Sequence, residues 1–215
     1  MMSIDVIDHE FDFSPIKTRM QSYIDKGLLS CVSTVILKGT DVLDVQNLGF
    51  QDIEEGIALP EDAIFRVYSN TKIVTSVALM QLYEVGRFKL EDPLEKYLPE
   101  FADMQVLNAG ATNAEDCKNV EQKILIKHIL SHSAGFSYGH FEPDSVIDQL
   151  YTEQGIGALV HEGGGDLEEL CKRVGALPLA YEPGTFWRYS VATDICARLV
   201  EVLSGQKFDA YLKQR

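Results

Sequence analysis

The sequence predicts a mixed α/β fold in which an antiparallel sheet is flanked by helices. Two observations carry that expectation: apolar residues recur at helical spacing over 13–26 and 69–85, and between these segments 28–50 reads as strand, turn, strand. A third concerns size, since 215 residues of which 46% are hydrophobic can bury a substantial core.

In the first segment Phe13, Ile16, Met20, Tyr23 and Ile24 fall on one helical face, and Gly27 supplies the stop. Residues 28–37 and 42–50 are rich in β-branched and apolar side chains, and Lys38-Gly39-Thr40-Asp41 between them marks a hairpin. Residues 64–67 read as a short strand leading into the helix over 69–85, which Gly86 ends. From 90 to 182 short helical patterns alternate with polar loops, including a Gly163-Gly164-Gly165 turn. A strong helix over 191–203 is closed by Gly205, and another begins near Phe208. The expected organisation is an N-terminal α/β part at 1–87, a mainly helical insert at 88–186, and the start of a C-terminal part at 187–215. The last helical pattern runs to Arg215 without a stop signal, and one hairpin alone makes a marginal sheet, so further strands are expected beyond it.

Charge removes several functions. The 33 acidic residues exceed the 19 basic ones by 14, a balance that repels phosphate backbones and anionic membrane surfaces. Nucleic acid is therefore excluded as an expected partner. No apolar run approaches the length of a membrane span, and the first residues carry Asp5 and Asp8 where a signal peptide needs a basic start, so the expected location is cytoplasmic. Cys31, Cys117, Cys171 and Cys196 form no C-x-x-C pair. His128 and His132 are four apart, but Ile129 stands where the helical zinc motif carries its glutamate, so no metal and no cofactor are expected.

The chemistry centres on Phe65-Arg66-Val67-Tyr68-Ser69-Asn70-Thr71-Lys72. Residues three apart on a helix share a face, which brings the Lys72 amine within reach of the Ser69 hydroxyl. Ser-x-x-Lys also occurs at Ser14 and Ser204, so spacing alone decides nothing. Context separates them: between Arg66 and Glu84, Lys72 is the only charged residue in a helix apolar nearly all round, which predicts burial. Burial disfavours an ammonium, so the Lys72 pKa is expected to fall, and Ser69 at the helix start would have N–H groups at hand for an oxyanion. The alternative is an ordinary N-cap serine with Lys72 reaching out to water. Near the other end, Glu182-Pro183-Gly184 leads through Trp187 to Tyr189 at a second helix start. By itself Tyr189 could be a core aromatic with a satisfied hydroxyl.

Three ordered blocks resemble the serine β-lactamase and penicillin-binding-protein superfamily, in particular its class C β-lactamase-like esterases. Residues 65–72 are similar to F-R-x-x-S-x-T-K, 129–136 to L-L-T-H-T-S-G-L, and 182–205 to its E-P-G, W-x-Y-S and L-x-E-x-x-S-G stretch. The resemblance implies a β-lactamase/transpeptidase-like fold and a carboxylic ester hydrolase acting on a small molecule through an acyl-enzyme. In it Ser69 is the nucleophile, Lys72 and Tyr189 manage its proton, and Tyr68, Asn70, Trp187 and Val191 contact substrate. A β-lactamase or D-alanyl-D-alanine carboxypeptidase is one rival, and a silent fragment or binding module another. Val191 stands where the lactamases carry the asparagine of Tyr-x-Asn, which favours an ester over a lactam. The family's third motif is absent, because no Lys-Thr-Gly occurs and His161-Glu162-Gly163 precedes Tyr189. The oligomeric state is left open.

Overall fold

A computed structural model describes residues 5–157 and 165–215, so His161-Glu162-Gly163 and most of the Gly163-Gly164-Gly165 turn lie outside the described residues. The chain forms two compact units, Met1–Arg66 and Val67–Arg215.

In the first unit α1 (Ser14–Asp25) lies against a hairpin of β1 (Cys31–Lys38) and β2 (Asp41–Asp52). Lys38 pairs with Asp41, so Gly39 and Thr40 form the turn, and Gly39 supplies the positive φ of 63° that such two-residue turns need. Leu43 and Leu48 of β2 are buried, as is Leu59, and the pairing with β1 shifts register at Leu43, between Ile36↔Asp44 and Leu37↔Val42. A two-residue strand, β3 (Ile57–Ala58), adds an antiparallel edge to β2. The strand expected at 64–67 does not form. Its β-branched residues have no pairing strand among the described residues, and Ile64 is fully exposed.

The second unit holds the main core. Its central helix is α6 (Ala192–Ser204), packed against α2 (Asn70–Glu84), α3 (Ile126–Leu130), α5 (Leu167–Gly175) and α7 (Phe208–Gln214). Buried positions recur right around α6, and Gly205 ends it in the left-handed conformation, its N–H donating to the Glu201 carbonyl at 2.8 Å. Glu201 is buried, pairs with Arg198 at 3.0 Å, and accepts the Phe208 N–H at 3.0 Å to start α7. Two further N-caps are side-chain made: Ser145 on α4 (Val146–Glu153) and Asp166 on α5. Among the described residues no helix is long and apolar enough to cross a membrane.

Within 88–186, β4 (Gln105–Leu107) and β5 (Cys117–Asn119) pair antiparallel beside the helices. A further expectation needs correction: α2 is not buried all round. Thr75, Ala78, Leu79 and Leu82 face α6 and the core, whereas Ile73, Val74 and Val77 are 68%, 51% and 54% exposed. Apolar composition told that the helix could be buried and not which faces a neighbour covers.

Candidate active site

Several segments of the second unit line a cavity of about 440 Å³. The start of α2 contributes Tyr68, Ser69 and Lys72, the segment before α6 contributes Tyr189, and the loop after α3 contributes Tyr138 and Phe141. A larger cavity of about 1000 Å³ lies beside the β4–β5 loop and α4, but its one serine, Ser145, is occupied in capping α4. The smaller cavity is the one lined by Ser69, Lys72 and Tyr189.

Ser69 occupies the N-cap position of α2, yet its side chain makes no capping hydrogen bond. Its Oγ is instead 2.6 Å from the Tyr189 hydroxyl, a partner 120 residues away in sequence. Tyr68, just before it, has φ of +45°, a left-handed conformation that costs a bulky side chain and is held here by the surrounding turn. The Lys72 Nζ lies 4.8 Å from the centre of the Tyr189 ring and 5.3 Å from that of Tyr138.

That second phenol reverses the expected charge state. Partial burial pulls the Lys72 pKa down, but hydrogen bonding and charge at the Tyr138 and Tyr189 hydroxyls pull it up further, so it ends above its ordinary value. Tyr189 moves the opposite way. Burial would raise its phenol, and the Lys72 ammonium together with the Ser69 hydroxyl brings it below the usual 10.0. Tyr138 stays raised, by burial first and the Asp194 charge second. Of the two phenols facing the ammonium, Tyr189 is the one that ionises more readily.

A buried network holds the segment carrying Tyr189. The Arg188 guanidinium donates to Ser137 Oγ at 2.8 Å, to Asp148 at 2.9 Å and to Glu142 at 2.9 Å. Asp148 is wholly buried and also accepts from the Ser137 hydroxyl and from the Glu142 N–H. Burial alone would raise the Asp148 carboxyl, but these donors and the guanidinium outweigh it and hold it below its ordinary 3.8. Two glycines let the sequence blocks touch. Gly135 has φ of +93° and an added Cβ would lie 2.6 Å from the Tyr181 carbonyl, while Gly184, at φ +82°, faces the His128 ring at 3.0 Å.

Of the residues expected at the site, the cavity brings together Tyr68, Ser69, Lys72 and Tyr189. Asn70 is exposed on the first turn of α2 and outside the lining. Trp187 is 67% exposed with its ring 6.4 Å from that of Tyr189, also outside the lining. Val191 is completely buried at the N-cap of α6, where its N–H donates to the Ser137 carbonyl at 3.2 Å, so its side chain belongs to the core. Residues that sequence reasoning missed include Tyr138, Phe141 and Asp194. Tyr138 lies two residues beyond the 129–136 block, and no spacing rule marks it.

Known proteins resemble this arrangement over most of its length. An uncharacterized protein of Mycobacterium tuberculosis is 32% identical over 176 residues, 82% of this chain and 42% of that protein. Esterase EstB of Burkholderia gladioli is 29% identical over 213 residues, 97% of this chain and 50% of its own. Among solved structures, EstCE1, a hydrolase with promiscuous acyltransferase activity, superposes with a TM-score of 0.79 at 25% identity, covering 94% of this chain and 49% of that one. The chain thus spans about half the length of these relatives. The fold is of the β-lactamase/transpeptidase type. The beta-lactamase family model matches residues 16–215, and the chain belongs to that family.

Proposed function

We propose that the protein is a serine hydrolase that cleaves carboxylic esters through an acyl-enzyme on Ser69. The observation that carries this reading is the Ser69 Oγ turned away from its capping role and placed 2.6 Å from the Tyr189 hydroxyl, with the Lys72 ammonium against the same ring. In the first half-reaction Ser69 Oγ attacks the ester carbonyl carbon while its proton passes to the Tyr189 phenolate oxygen. The carbonyl oxygen takes up negative charge, which the Ser69 N–H at the positive end of α2 stabilises. Collapse of this intermediate breaks the bond to the alcohol, which leaves with the proton held on Tyr189. Water then gives Tyr189 a proton as it attacks the acyl carbon, and when the bond to Ser69 Oγ breaks Tyr189 returns that proton to the serine, releasing the acid. Lys72 acts as a cation that keeps the phenolate accessible. The raised Lys72 pKa and lowered Tyr189 pKa favour this division of labour over a neutral lysine base.

The ester preference rests on the lining. Phe141, Leu167, Ala197 and Phe208 give the cavity apolar walls suited to an acyl chain, and the similarity to a named esterase points the same way. A fluorophosphonate probe should label the protein at Ser69, and p-nitrophenyl butyrate should be hydrolysed in preference to a chromogenic cephalosporin. Labelling that survives Ser69→Ala would remove the nucleophile. Preference for the cephalosporin would move the assignment to a lactamase, and no reaction with probe or either substrate would leave a binding module.

A further inference from the structure

Tyr189 is held from both sides by one residue outside the catalytic group. His132 follows α3 and has φ of +54°, a left-handed conformation that turns its carbonyl and its ring toward the same neighbouring strand of chain. The carbonyl accepts the Arg188 N–H at 2.9 Å, one residue before Tyr189. The ring Nδ1 accepts the Ser190 N–H at 3.3 Å, one residue after it. The imidazole then lies against the phenol itself, with ring centres 4.9 Å apart and planes tilted by 38°. Ser190 is 1% exposed, so the imidazole both satisfies its N–H and shields it from water. Because Nδ1 accepts an N–H it carries no proton, which fixes a neutral ring with its hydrogen on Nε2. The Ser190 hydroxyl, 3.3 Å from the same Nδ1, accepts the Ala192 N–H at 3.4 Å and so links the clamp to the start of α6.

We propose that His132 is the positioning residue that sets the Tyr189 hydroxyl against Ser69 Oγ, through its unprotonated Nδ1 and its left-handed backbone. The inference rests on the proposed function for its catalytic consequence and on geometry alone for the clamp. An apolar ring or chain at 132 could pack on the phenol but could not accept from Ser190. Asparagine could do so, since its Oδ1 is an acceptor at comparable reach and the residue tolerates the left-handed region.

The test compares His132→Asn with His132→Gly, the latter removing the side chain while relaxing the backbone. Two quantities are read: hydrogen exchange at the Ser190 amide by NMR, and the rate of fluorophosphonate labelling at Ser69, with Ser69→Ala as control. In His132→Gly the Ser190 amide should lose its protection, and labelling should slow by roughly 10- to 100-fold, since a displacement of about 1 Å at a reacting group costs on the order of 10²-fold. His132→Asn should keep the protection and label within about threefold of wild type, because the acceptor is retained. Unchanged Ser190 exchange in His132→Gly would overturn the clamp. Lost protection with unchanged labelling, or equal slowing in both variants, would overturn the positioning role. Labelling of Ser69→Ala at the wild-type rate would instead remove the proposed function and leave the exchange measurement to decide the clamp by itself.

Discussion

Replacing Lys72 separates two roles that a lysine can play beside a serine. If it serves as a cation, Lys72→Arg retains part of what is needed, whereas Lys72→Met removes it, and the Met variant should label and turn over well below the Arg variant. Equal losses in the two would return Lys72 to the role of base, because a guanidinium does not deprotonate in a protein. Tyr189→Phe should lower kcat/KM by about 10²–10⁴, the usual range for a proton-transfer group. The pH dependence follows from the same pair. The Tyr189 phenol titrates below its ordinary 10.0, so its proton-accepting form is present above the lowered value and is lost as pH falls through it. Labelling of Ser69 should accordingly rise with pH, with its midpoint below the ordinary 10.0 of a phenol, and in Lys72→Met the profile should move to higher pH. A profile that stays in place would detach Lys72 from the phenol. None of this was legible from the Ser69–Lys72 spacing, because the second phenol, Tyr138, is brought to Lys72 by tertiary packing.

Along α2, burial and not composition should govern the response to mutation. Leu79 is fully buried, and Leu79→Ala should cost about 2–5 kcal/mol of stability. Val77, half exposed, should tolerate alanine within about 0.5 kcal/mol. Similar denaturation midpoints for the two would contradict the one-sided packing of this helix. Long periodic elements such as α1, α2 and α6 could be read from sequence because each offers several turns of pattern. Strands of two or three residues, β3, β4 and β5, are shorter than any period can register. The Arg188–Asp148 pair escaped notice for a different reason: its members come from separate elements, and each alone looks like a solvated charge. Breaking it with Asp148→Asn should cost about 3 kcal/mol, less than the full figure for a buried pair because Arg188 keeps Glu142 as a second partner. Acid should act on the same contact. Since the folded Asp148 carboxyl titrates below 3.8, its contribution is complete above that value and is lost as pH falls through the lower folded one. In wild type, stability should therefore decline steeply below about pH 4, and Asp148→Asn should flatten that decline.

For the molecule as a whole, the net charge of −14 should disfavour anionic esters relative to neutral ones of the same shape. The gap in kcat/KM should narrow with added salt, because screening over about 10 Å at 0.1 M removes most long-range repulsion. A gap indifferent to salt would place the discrimination inside the cavity. The three sequence blocks were legible as blocks, and what brings them together is the close approach of their turns at Gly135 and Gly184, where an added side chain would be strained and crowded. If Ser69 is the nucleophile as proposed, that convergence also makes its activation a late product of folding. Its hydroxyl partner lies 120 residues along the chain, so the pair exists only after that long loop has closed. A denatured or half-folded molecule would carry the same Ser69 without its Tyr189 partner, so under the proposed function reaction with a fluorophosphonate should count native molecules. The chain has a single tryptophan, Trp187, two residues from Tyr189, which supplies an independent optical count of the same region. In a urea series the labelled fraction and the Trp187 fluorescence should fall together, so that nucleophilicity itself serves as a titre of the folded state.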